Sequence, residues 1–245
     1  MFVSGAAPER RKERDHAASD HSPVMPTAAV TGLAAEARIA RRIGWRAVAA
    51  GGDAERTRRA MAQLIDEGAS ALVSFGICGG LDPALGPGAL ILAQAVSSDD
   101  GRHRRVDAAL RGALASALGR AGIAAAGGDV IGAARAVDTP SRKAALHRRN
   151  GAIAVDLESH LVADAAAAAG IPFAVLRAVA DPAERTLPPA ALIGLDAAGQ
   201  PALGRVLLSL ATQPGQLPAL LQLARDTRRA LAALRRAGDA LARHR

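Results

Sequence analysis

Residues 152–183, "AIAVDLESHLVADAAAAAGIPFAVLRAVADPA", decide the fold. The first six form a short apolar run, as a buried strand requires. Residues 160–170 are an alanine-rich helix closed by Gly170, a residue that adopts the left-handed helix-ending conformation at no steric cost. Residues 171–181 return as an almost unbroken apolar strand ending on Asp181 and Pro182. Strand, helix and strand in this order make the unit from which helix-covered sheets are assembled.

The same alternation runs outward from this stretch. Residues 27–33 predict a first strand ending in a glycine turn, 34–43 a helix, 46–51 a strand, and 54–68 a helix with Gly68 at its C-cap position. Residues 69–96 predict two apolar strands around a Gly/Pro-rich connection. A helix follows over 106–122, a return to the sheet over 122–133 and a helix over 139–151. The class is therefore α/β, with one domain over 27–245 and no internal repeat. Residues 1–26 mix both charge signs with Pro, Ser and Ala and lack a signal-peptide pattern, so they are expected to be a disordered, dispensable extension.

Composition narrows the function classes. Cys78 is the sole cysteine, which excludes an internal disulfide and a metal-thiolate site and agrees with a cytoplasmic protein. No window offers the roughly 20 apolar residues of a membrane span, so a soluble protein is expected. The net charge is +8, carried by arginine, since Lys12 and Lys143 are the only lysines. Nucleic acid is disfavoured as a partner because the aromatics are only Phe2, Trp45, Phe75 and Phe173. Seven arginines against two aspartates place +5 of the charge in 217–245. There, Leu217, Leu220, Leu221, Ala224, Leu231, Leu234 and Leu241 recur at helical steps, a basic amphipathic helix. Either that helix packs on the sheet with a solvated basic face, or the face rests on anionic lipid at the inner side of the membrane.

Four features could carry chemistry. Gly76, Gly79 and Gly80 after the strand 71–75 let the backbone approach a ligand, or form a tight turn. Asp156 and Glu158 share one side of a strand end, where carboxylates suit a metal, sugar hydroxyls or the start of the next helix. Asp181 ends a buried strand, where desolvation keeps a carboxyl protonated for general-acid work, or forms an Asx turn before proline. Glu36 lies in the turn after the first strand and equally suits a helix start.

Together these features resemble the purine nucleoside phosphorylase and methylthioadenosine nucleosidase superfamily. Residues 74–96, "SFGICGGLDPALGPGALILAQAV", match its Gly-Gly-Leu stretch, and 152–183 match its V-[DE]-x-E segment, helix, apolar strand and terminal Asp. Residues 187–237 are similar to the hopanoid-associated phosphorylases of bacteria. The resemblance implies a central mixed, twisted sheet flanked by helices, a homo-oligomer, and cleavage of an N-glycosidic bond in a small or lipid-linked nucleoside, adenosylhopane, releasing adenine. It makes Asp181 the acid at purine N7, Glu158 the ligand of the ribose hydroxyls, and Leu157 the apolar residue under the sugar. Gly79 and Gly80 line the base pocket, and Val137 is its apolar wall. The aromatic residue that the nucleosidases place before Val137 is Ala136 here. Glu36 is the nearest match to their water-activating acid, one residue out of register. Arg38 and Arg56 are the nearest candidates for holding phosphate, which would be a co-substrate; no cofactor or metal is implied. Other readings are a nucleosidase or phosphorylase of small soluble nucleosides such as methylthioadenosine, a non-catalytic nucleoside-binding protein, and a Mg²⁺-dependent enzyme using Asp156 and Glu158.

Overall fold

A ten-residue strand, β3 (Ala71–Gly80), runs through the centre of the molecule. Its first half pairs in parallel with β1 (Thr27–Thr31). Its other edge pairs in parallel with β9 (Phe173–Asp181), and its last two residues pair antiparallel with β8 (Ala154–Asp156). β2 (Arg46–Ala49) extends the sheet beyond β1. β7 (Asp129–Gly132), β5 (Ala95–Ser98) and β6 (His103–Arg105) follow β8, and β4 (Leu90–Leu92) pairs antiparallel with β9. The result is one mixed sheet in an α/β domain. It is described here for residues 26–193 and 203–244 of a computed structural model. The extension expected over 1–26 lies, apart from Pro26, outside the described residues.

Two local expectations are corrected. Gly76, Gly79 and Gly80 lie inside β3 and not beyond it. The register against β9 slips between Cys78, opposite Val179, and Gly79, opposite Asp181, a bulge that takes up Ala180. Residues 69–96 hold three strands, because Ala93 N–H still bonds the β9 carbonyl of Val175 while Gln94 N–H has moved to Gly128. β6, reading His-Arg-Arg, was not foreseen; an exposed polar edge strand leaves no hydrophobic signal.

Helices cover both faces. α1 (Ala34–Arg42), α3 (Ala108–Arg120) and α7 (Leu217–Ala242) bury Ile39, Ile43, Leu118 and Leu234 against Phe75, Leu176 and Ala178. α2 (Ala54–Asp66) and α5 (Ser159–Ala169) bury Met61, Leu64 and Val162 against Leu72, Val175 and Val179. α4 (Pro140–Asn150) packs Leu146 on a smaller cluster with Ile131 and Val155. α6 (Leu203–Thr212) rests on two short 3-10 turns, Pro189–Ile193 and Pro214–Gln216. Along β9 the side chains alternate between the two faces, and each fully buried Leu or Val contributes about 1.5–3 kcal/mol. Residue 177 falls on the α5 face, and there the apolar series is broken by a buried arginine.

The last helix departs from its expected face. Leu217, Leu221 and Ala224 are exposed, and the packed face is Ala230, Ala233, Leu234, Ala237, Gly238 and Leu241. Small residues allow this close approach: a Cβ on Gly238 would stand 3.1 Å from Ile39. Among the described residues no helix is long and apolar enough to cross a membrane.

Candidate active site

The carboxyl ends of β1, β8 and β9 converge on the second half of β3. Gly79 is in register with both Val155 and Asp181, and a Cβ there would stand 3.2 Å from Val155 Cγ1 and 3.6 Å from Asp181 Oδ2. Gly80 is as confined, its Cβ direction 3.2 Å from Val179 Cγ1.

Arg177 organises one half of the site. Its guanidinium, 1% exposed, donates from Nη2 to Ser74 Oγ (2.6 Å) and Glu158 Oε2 (3.1 Å), and from Nη1 to the Ile77 carbonyl (3.3 Å). Its Nε stands 2.7 Å from Asp156 Oδ2, an ion pair without hydrogen-bond alignment. Burial alone would pull the arginine's pKa down; Asp156, Glu158 and Glu36 more than offset it and leave the net shift upward.

The two acids expected to share a strand end are separated: β8 closes at Asp156, and Glu158 lies beyond it at the start of α5. Asp156 accepts from the backbone N–H of Glu158 (3.1 Å) and Ser159 (2.8 Å) and from the Ser159 hydroxyl, so it, and not Glu158, caps α5. Glu158 makes no cap bond, and its carboxylate points to Arg177 and towards Gly32, where a Cβ would lie 3.0 Å from Oε1. Burial raises the Glu158 pKa, and the Arg177 guanidinium opposes that rise.

Glu36 borders the same space, its Oε2 3.7 Å from the Gly32 Cβ direction. One oxygen accepts from Leu33 N–H (2.7 Å), the N3 acid of a capping box; the other accepts from Ile77 N–H (2.8 Å) in β3. Its carboxylate fills the space a side chain at Gly76 would need, with all three carboxyl atoms within 2.8 Å of that Cβ. Complete burial raises its pKa to about 7, against its backbone donors and Arg177, with Glu158 adding to the rise. Arg38, two residues on, is exposed on the outer face of α1 and is not brought to the cluster.

Asp181 stands in the other half. Lys143 Nζ, 0% exposed on α4, donates to Asp181 Oδ2 (2.6 Å) and to the carbonyls of Pro182 (2.9 Å) and Arg185 (3.0 Å). Asp181 Oδ1 is buried and has no hydrogen-bond partner among the described residues. Burial raises the Asp181 pKa, while Lys143 and Arg185 pull it down. The carboxyl is thus held by one oxygen and offers the other.

The remaining expected residues lie at the margins. Leu157 is half-buried, its Cδ1 3.1 Å from the Cβ direction of Gly52 in the loop before α2. Val137 lines a cavity of about 450 Å³ with Ala133, Leu146 and Arg142, while Ala136 is exposed. Arg56 starts α2, where its N–H bonds Asp53 at 2.7 Å and its guanidinium pairs with the same carboxylate at 3.7 Å. A wider cleft of about 750 Å³ runs between α2 and α5, but none of these acids lines it. The converging buried acids mark the site better than cleft size does. Two members were missed from sequence, Arg177 and Lys143. Their signals were present: an arginine inside an apolar strand, and one of two lysines in an arginine-rich chain.

A family model described as the phosphorylase superfamily matches residues 51–209. No curated protein matches the chain. Among solved structures, a Helicobacter pylori 5′-methylthioadenosine/S-adenosylhomocysteine nucleosidase is 15% identical with a TM-score of 0.61, covering 76% of this chain and 97% of its own. Helicobacter pylori futalosine hydrolase is 14% identical with a TM-score of 0.62, covering 87% and 97%. At such identities the likeness is one of fold.

Proposed function

Because the chain belongs to the phosphorylase superfamily, we propose that it cleaves the N-glycosidic bond of a purine nucleoside-type substrate, adenosylhopane, and releases adenine. One observation carries the reading: an orphaned acid oxygen, Asp181 Oδ1 at the end of β9, and an arginine-held acid, Glu158 just past the end of β8, stand on either side of the β3 glycines. Bond breaking builds positive charge on the sugar and negative charge on the base. Asp181 Oδ1 gives a proton to N7 as C1′–N9 breaks, and Lys143 on Oδ2 stabilises the carboxylate left behind. Glu158 accepts the ribose hydroxyls, with Arg177 favouring its ionised form. Gly79 and Gly80 admit the base, with Leu157 against the sugar and Val137 at the pocket wall.

The nucleophile in this proposal is water. Glu36, with a pKa of about 7, is matched to general-base work near neutrality: it takes a proton from water as the water oxygen bonds C1′. Glu36, Asp156 and Glu158 around the single guanidinium of Arg177 also present a surface that repels phosphate. The solved structures of similar fold, a nucleosidase and a hydrolase, agree with hydrolysis. The hopanoid tail rests on the resemblance of residues 187–237 to the hopanoid-associated phosphorylases.

The test incubates purified protein with adenosylhopane or methylthioadenosine, with and without phosphate, and follows adenine and the sugar product. Adenine and a free reducing sugar from adenosylhopane, at a rate independent of phosphate, are expected. A sugar 1-phosphate would overturn the water assignment. Turnover of methylthioadenosine alone would overturn the lipid-linked substrate, and binding without cleavage would overturn the enzyme.

A further inference from the structure

The outward face of α7 is not a plain polar surface. At 100° per residue, Leu217, Leu221, Arg225, Arg228, Arg235 and Arg243 fall within an arc of about 80°, opposite the alanines that pack on the sheet. All six are exposed, with Leu217 and Leu221 at 48% and 51%. The stripe is apolar at its N-terminal end and mainly basic beyond it, with Asp239 the one acid inside the arc. Asp226 does not cancel the charge: it is 1% exposed and already paired with Arg185 and Arg229 at 3.1 Å each. Asp239 is the one exposed acid of the helix among the described residues.

Exposed leucines also occur on the preceding helix. Leu207 and Leu208 of α6 are 65% and 67% exposed. Buried Gln216 ties these pieces together: its Oε1 accepts from Ala190 N–H (2.8 Å), and its Nε2 donates to the carbonyl and hydroxyl of Ser209 (3.2 Å each). The 3-10 turn, α6 and the start of α7 are therefore held together as one unit. A merely solvated basic helix explains the arginines but not these leucines, which expose costly apolar surface.

We propose that this surface docks on an anionic lipid bilayer, with the leucines at the acyl boundary and the arginines among the headgroup phosphates. Neither signal alone holds a protein at a membrane, and together they do. Nucleic acid would use the arginines but leave the leucines in water. A two-fold contact between copies would set arginine against arginine. The inference deepens the lipid-linked substrate reading but stands on the surface alone, since docking is measured without substrate.

Flotation of the full chain tests it, with phosphatidylcholine vesicles compared with vesicles that also contain phosphatidylglycerol. Binding is expected only to the anionic vesicles, weakening as salt is raised. Arg225→Gln/Arg228→Gln/Arg235→Gln should lower partitioning about 100-fold, at about five-fold per arginine. Leu207→Ser/Leu208→Ser/Leu221→Ser should also release the protein. Unchanged thermal melts and unchanged cleavage of a soluble nucleoside would show both variants folded. No flotation on anionic vesicles overturns the inference, as does wild-type partitioning of either variant. So does a leucine variant that turns an oligomer into a monomer by light scattering while still floating.

Discussion

Replacing Asp181 by Asn removes the counter-charge from a lysine ammonium that is 0% exposed. Lys143 keeps the carbonyls of Pro182 and Arg185 at 2.9 and 3.0 Å, but its 2.6 Å carboxylate partner becomes a neutral amide. Breaking a buried pair from one side costs about 3–5 kcal/mol, and the two remaining acceptors place this site near about 3 kcal/mol. Lys143→Met is milder, about 1–3 kcal/mol, because the abandoned carboxyl can take up a proton. In Asp181→Asn/Lys143→Met no charge is left buried, so the double variant should be more stable than Asp181→Asn by about 1–2 kcal/mol. Urea unfolding of the four proteins above the alkaline limb of kcat/KM, where the Asp181 carboxyl is ionised, measures this. A double variant whose loss equals the sum of the single losses would refute the ion pair.

Activity separates the same two residues. Asp181→Asn should lower kcat by about 10²–10⁴, with or without Lys143. Lys143→Met should lower kcat, because the carboxylate left after proton transfer loses its partner, and should also move the pH profile. Burial raises the Asp181 pKa and Lys143 lowers it, so without the lysine the carboxyl holds its proton to higher pH. The alkaline limb of kcat/KM should therefore shift upward; an unmoved limb would remove Lys143 from the mechanism.

Glu36→Gln should cost about 10²–10⁴ in kcat and abolish the acid limb near pH 7, since the base acts ionised; an intact limb would assign that pKa elsewhere. The same variant has a stability signature. The folded Glu36 pKa of about 7 lies above its ordinary 4.5, so its contribution is fully present below pH 4.5 and is lost as pH rises through 7. That loss is about 3 kcal/mol, and urea unfolding across this pH window should be flatter by that amount in Glu36→Gln. Gly76→Ala places a methyl within 2.8 Å of the Glu36 carboxyl atoms, so turnover should fall at least about ten-fold while adenine still binds; calorimetry and kinetics together check this. Glu158→Gln should raise KM and lower kcat together, because the ribose contact is used in both states; a change confined to kcat would contradict the sugar-binding role.

Much of the framework was legible because strands and helices differ in hydrophobic period. The helix over 34–43, the strand–helix–strand of 152–181 and the acids at strand ends all follow from that pattern. From the residues alone Glu36 was readable as a helix-start acid, and the resemblance added the role of water-activating acid. Its second role, accepting from Ile77 N–H, requires β3 to lie beside β1, a contact 41 residues distant in the chain. The buried face of α7 was misplaced for a related reason: the leucines marked an apolar stripe, but alanine and glycine, small enough for close packing on α1 and the sheet, took the inner side.

By itself, then, the amino-acid order determined the α/β class, the succession of elements and which carboxylates stand at strand ends, because those are properties of local periodicity. Tertiary structure alone decided how the carboxylates differ. Asp156 became a helix cap, Glu158 an arginine partner, Glu36 a fully buried carboxyl with a pKa of about 7 and Asp181 a lysine-held acid. Each identity depends on burial and on a partner brought close by the chain's folding, and neither has a local signature.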